Sequence, residues 1–77
     1  MSPEKTIRMA NQIATFFESQ GDDEKVAGVA DHINSFWEPR MRTRLLEMLE
    51  SGTPGFHPSV VAALPNIRRP KPQTAGA

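Results

Sequence analysis

Proline and glycine divide this chain before any other feature acts on it. Pro3, Pro39 and Pro58 each stand where a helix can begin, and Gly21, Gly52 and Gly55 stand where one can end. Proline suits the first helical turn, where its missing N–H is no loss, and a glycine past the last turn takes the left-handed conformation that stops a helix. The intervals hold about three to five turns each, at 3.6 residues per turn. Their apolar residues recur at helical spacing, and neither strand-type alternation nor a hairpin turn interrupts them. The expected fold class is therefore all-α: a small bundle of three helices plus a short fourth helix and an extended C-terminal tail. Residues 1–64 form the expected helical domain, and residues 65–77, with Pro65, Pro70 and Pro72, form a proline-rich tail that is extended or disordered when free.

Ser2 caps a first helix that starts at Pro3 and runs to about Ser19. At 100° per residue, Ile7, Met9, Ala10, Ile13, Ala14, Phe16 and Phe17 occupy roughly half of its circumference. Asp22 or Asp23 caps a second helix reaching about Phe36, whose Val26, Val29, Ala30, Ile33, Phe36 and Trp37 form the densest aromatic and β-branched face and the expected core seam. Glu38-Pro39 breaks that helix and starts a third, to Glu50 or Ser51, with Met41, Leu45, Leu46, Met48 and Leu49 on one side. A short fourth helix starts at Pro58, carries Val60, Val61 and Leu64, and ends before Pro65, with His57 as its expected cap. His32 falls at the border of the second helix's stripe, one turn before Phe36.

Size and composition exclude whole function classes. The chain has 77 residues, one small domain at most, and folding at this length removes only about 60% of the unfolded chain's surface from water. There is no cysteine, hence no disulfide, no thiolate metal site and no ligand for an iron–sulfur cluster. The two histidines, His32 and His57, have no third ligand at metal-site spacing, and Asp22-Asp23-Glu24 reads as helix-capping acid rather than as a cation loop. No glycine-rich phosphate loop, zinc-protease helix or nucleophile elbow is present. The longest apolar run, Val60 to Leu64, is far short of the roughly 20 residues that span a bilayer, and no basic-then-apolar leader opens the chain. A soluble, cytoplasmic protein that binds neither membrane nor nucleic acid is expected.

Nine basic and nine acidic residues cancel overall, but unevenly. Residues 1–38 carry three basic against seven acidic side chains, a net −4, and residues 39–77 carry six against two, a net +4. Such a dipole can orient a small chain on a larger partner or be neutralised between its own halves. Arg40, Arg42 and Arg44 oppose the positive end of the third helix's dipole, which costs a few tenths of a kcal/mol each when exposed. On the wheel Arg42 falls between Leu46 and Leu49 inside the apolar arc, with Arg40 and Arg44 on its far border. Two readings stand: Arg42 snorkels and pairs with Glu38 or Glu47, or these arginines meet carboxylates or phosphates on another protein. The aromatic residues are core by default. Together with the methionines and the wide first stripe, however, they exceed what a helical hairpin of this length readily encloses, and aromatic, Met and Arg side chains are enriched at interfaces. The residues favour a small helical interaction subunit.

The ordered string Arg8-Met9-Ala10-Asn11-Gln12-Ile13, Phe16-Phe17, Val26-Ala27-Gly28-Val29-Ala30-Asp31-His32-Ile33, Phe36-Trp37 and Pro39-Arg40-Met41-Arg42 resembles the delta subunit of the soluble, NAD-dependent, molybdenum-containing formate dehydrogenases. The resemblance covers roughly residues 5–64; family members tend to carry Asp at the position of Glu38. It implies a non-catalytic accessory subunit of a bacterial cytoplasmic complex that interconverts formate and carbon dioxide. By that resemblance the alpha subunit holds a bis-pyranopterin guanine dinucleotide molybdenum (or tungsten) centre and iron–sulfur clusters. Beta and gamma subunits then carry FMN, NAD and further clusters, and this chain carries none of these. It would pack on the alpha subunit to support assembly, cofactor retention or stability; the alternative is a transient chaperone for loading the molybdenum cofactor. Met9, Phe16, Phe17, Trp37, Arg40, Arg42 and Arg44 are the candidate contacts, with no catalytic, metal or cofactor-binding residue expected.

Overall fold

A computed structural model describes residues 2–70. Four helices follow one another, α1 (Pro3–Phe16), α2 (Asp22–Phe36), α3 (Pro39–Glu50) and α4 (Pro58–Ala63), and a single 3-10 turn, Leu64–Asn66, closes the order. No strand occurs among the described residues, and the all-α bundle with a short fourth helix is as expected. Each boundary has a local cause. The Ser2 hydroxyl accepts from the Lys5 N–H ahead of Pro3, and His57 Nδ1 accepts from the Ser59 N–H ahead of Pro58. Gly21, rather than Asp22 or Asp23, occupies the N-cap of α2, so all three acids fall in the first turn, where they complement the dipole. α1 ends at Phe16, short of Ser19, and continues as an irregular turn. α3 stops in a Schellman motif: Thr53 N–H donates to the Met48 carbonyl and Gly52 N–H to that of Leu49, with Gly52 at φ 76°.

α2 is the central element and packs most closely on α4, with α1 against both. Val29 and Ile33 of α2, Leu45 and Leu46 of α3 and Val60 of α4 are the largest fully buried apolar side chains. Each contributes about 1.5–3 kcal/mol on removal from water. The buried ridge of α1 is Thr6, Ala10 and Ala14, all at 0% exposure. This narrows the expectation from the sequence, which gave that helix a stripe half its circumference wide. Small side chains let helices approach closely, so the small ridge takes the interface and Ile7, Met9, Ile13 and Phe17 are left half-buried beside it. Thr6, absent from the apolar count, is buried because its hydroxyl donates to the Ser2 carbonyl.

Two expectations are corrected here. Phe36, assigned to the core seam, is 74% exposed, because α2 turns Val29, Ala30 and Ile33 inward and places Phe36 on its flank. The packed region also passes residue 64: Ile67 is buried in the same core, tied there by the turn that precedes it. The rest of the expected tail, residues 71–77, lies outside the described residues.

Candidate functional site

The side chains left over from the core gather on one face. Met9, Gln12, Ile13 and Phe16 of α1 and His32 and Trp37 from the α2 side line an open groove of roughly 310 Å³. Phe16 is 76% exposed at its rim. Phe36 stacks on the His32 ring with centroids 4.7 Å apart, so the second exposed phenylalanine rests on a groove-lining residue. Phe17 contacts Phe16 edge-on at 5.2 Å and lies flat over Gly28: a Cβ at that position would stand 2.7 Å from Phe17 Cδ1. Only glycine on α2 lets the ring lie there. Trp37 is buried, and the part of it that remains reachable faces the groove.

The structure thus brings together three of the seven candidate contacts, Met9, Phe16 and Trp37, with Phe17 behind them. It treats the arginines differently. Arg40 and Arg44 are exposed at the start of α3, with no hydrogen bond or ion pair among the described residues. Arg42 is half-buried and pairs with neither Glu38 nor Glu47. Its Nη1 donates to the Trp37 carbonyl at 2.9 Å and its Nε to the Arg68 carbonyl at 3.1 Å. A guanidinium on the carbonyl of Trp37, the C-cap of α2, also offsets the negative pole of that helix.

Two asparagines missed in the sequence hold the loops by one shared device. Asn11 Nδ2 donates to the Gly55 carbonyl and its Oδ1 accepts from the His57 N–H, at 2.9 and 2.8 Å. Asn34 Nδ2 donates to the Asn66 carbonyl and its Oδ1 accepts from the Arg68 N–H, at 3.0 and 2.6 Å. In each case a side-chain amide pairs with a carbonyl and with the N–H two residues further on, as a neighbouring strand would. The available signal was their position: asparagine is neutral to unfavourable within a helix unless its side chain has work elsewhere. Arg69 pairs with Glu50, Lys25 with Asp22 at 3.4 Å, and His57 Nε2 faces Glu18 at 3.8 Å. No buried side-chain polar atom among the described residues lacks a partner.

A resident metal or cluster does not fit these residues. The chain has no cysteine, and no three His, Asp or Glu side chains among the described residues converge as a ligand set. No described helix is long and apolar enough to cross a membrane. Fold and surface together define a small all-α domain whose surplus aromatic side chains border an open apolar groove. The family model of the NADH-dependent formate dehydrogenase delta subunit, FdsD, matches residues 5–64, and the chain belongs to that family. No curated protein matches it significantly.

Proposed function

We propose that this chain is a non-catalytic accessory subunit of a cytoplasmic, NAD-dependent formate dehydrogenase complex. It packs on the catalytic alpha subunit and supports assembly, cofactor retention or stability. The observation that carries the reading, beside family membership, is the outward aromatic pair. Phe16 and Phe36 spend apolar area on solvent that a self-sufficient monomer of this size needs for its core. Met9 and Trp37 extend that surface, Phe17 supports it, and Arg40 and Arg44, which have no ion pair among the described residues, offer guanidinium groups for carboxylates or phosphates of the same partner. Arg42 belongs to the interface chiefly through what it holds in place. The molybdenum or tungsten centre, the iron–sulfur clusters, FMN and NAD reside in the alpha, beta and gamma subunits.

Such a subunit acts by linkage. Binding only the folded, cofactor-loaded partner stabilises that state by RT ln(1 + [L]/Kd), about 2.7 kcal/mol at a hundredfold excess over Kd, with no contact to substrate. The test is to tag the chain in its native host, purify it mildly, and measure formate-dependent NAD reduction with subunit stoichiometry. Active enzyme with one copy of this chain per alpha subunit is the expected result. An inactive, cofactor-free alpha partner would instead identify a transient loading chaperone, and the absence of any large partner would refute the reading.

A further inference from the structure

The groove is polarised, and its polarity specifies what it takes. None of its six lining residues is a carboxylate. Along α1, residues three and four apart share a face, so Lys5, one turn before Met9 and two before Gln12, continues the lining ridge toward the helix start. Arg8, one turn before Gln12, stands at the outer edge of the same ridge. Both are exposed, and neither has a carboxylate within 4.0 Å among the described residues; Glu4, one turn before Arg8, is not within ion-pair reach. On the opposite wall Arg42 donates to the carbonyl of Trp37, and the carboxylate next to it in the chain, that of the exposed Glu38, is not within ion-pair reach of Lys5 or Arg8. An apolar floor with a cationic end therefore occurs in the acidic half of the chain, where sequence charge alone gives the opposite sign.

Resting on the accessory-subunit reading, we infer that this groove receives one amphipathic helix of the catalytic partner. That helix presents an apolar ridge to Met9, Ile13, Phe16 and Trp37 and carries an Asp or Glu at the end that meets Lys5. From Lys5 to Phe16 the ridge measures roughly 16 Å at 1.5 Å per residue, so the docked segment is about three turns long. Phe16 and Phe36 close over its two sides, and the His32 ring beneath Phe36 holds the second of these flaps in place. Helix-in-groove docking of this kind draws affinity from the apolar anchors and orientation from the charge at one end.

The test uses the assembled complex. A photo-crosslinking amino acid is placed in turn at Gln12, at Phe36 and, as a control on another exposed site, at Val61; crosslinked peptides are identified by mass spectrometry. The expected result is that the first two positions capture one helix-periodic alpha-subunit segment with an acidic residue at one end, and Val61 does not. Lys5→Glu lowers retention of the chain on the complex roughly three- to tenfold, Lys5→Arg does not, and reversing the partner's acid restores it. Circular dichroism shows Lys5→Glu folded, since Lys5 is exposed. Capture of a second copy of this chain, capture through Val61 alone, or a captured segment indifferent to Lys5→Glu overturns the inference and leaves the accessory role standing. A wild-type chain that brings down no alpha subunit removes that role itself.

Discussion

Replacing Arg42 by methionine separates a residue that holds the fold from one that contacts a partner. The substitution keeps most of the aliphatic stem and its packing and deletes the two donors that reach the Trp37 and Arg68 carbonyls at 2.9 and 3.1 Å. Hydrogen bonds from a charged group are worth about 1.5–3 kcal/mol each when water is excluded. Arg42 is half-buried, so water competes, and about 1 kcal/mol each is the better figure, roughly 2 kcal/mol in total. A chain of this length holds about 4–10 kcal/mol of stability, and its melting temperature moves by about 4–8 °C per kcal/mol. Thermal circular dichroism of the verified monomer should therefore show Arg42→Met melting roughly 8–16 °C below wild type. Arg40→Met and Arg44→Met, which remove no bond among the described residues, should stay within about 2 °C. The same three variants, assayed for retention on the complex at a temperature where all are folded, should reverse in order: Arg40 and Arg44 lose the most. An Arg42→Met chain that melts with wild type yet no longer assembles would refute the reasoning and make its guanidinium a direct contact.

Asn34→Ala strips two backbone groups of their partner and should lower stability by about 1–2 kcal/mol; Asn34→Asp, which still accepts from the Arg68 N–H, should cost about half as much, read by urea denaturation. Gly52→Ala meets no atom within 4 Å, so its cost is the backbone's alone, about 1 kcal/mol at φ 76°, and Gly52→Asn should recover part of it in the same assay. Gly28→Ala gains about 1 kcal/mol of helix propensity but collides with the Phe17 ring. It should be neutral to destabilising in wild type and stabilising by about 1 kcal/mol in a Phe17→Ala background, a sign change that a double-mutant cycle detects. Phe36→Ser should leave the melting temperature unchanged or higher, because the ring is 74% exposed, while lowering retention on the complex.

The helix starts at Pro3, Pro39 and Pro58 and the stop at Gly52 were legible in the residues because their causes are local, whereas the end of α1 and the cap of α2 fell elsewhere than expected. Ser2 ahead of Pro3, His57 ahead of Pro58 and Gly52 after Ser51 each satisfy or terminate a backbone ladder with groups at most a few positions away. The candidate surface was legible only in part. Excess apolar area pointed to a partner, yet of the two aromatic residues assigned to the core seam only Trp37 is buried, and Phe36 is 74% exposed. A wheel gives the angular position of a side chain but not the angle at which the next helix crosses it. That crossing is set by Ala10, Ala14 and Gly28, whose lack of bulk decides where α1 comes to rest.

Arg42 shows where the division falls. From the sequence its place inside an apolar arc is certain, and so is the need for that charge to find acceptors. Which acceptors it finds depends on a chain segment far along the sequence returning to α2, and that return depends on Ile67 entering the core and Asn34 gripping the backbone on either side of it. Periodicity, caps and the absence of cysteine determined the all-α class, the element order and the lack of a thiolate centre, because these rest on short-range geometry and on which atoms exist. Tertiary structure alone decided which apolar residues were left over and that Arg42 is bound at home. These outcomes depend on competition among side chains for one small core, which no residue settles by itself.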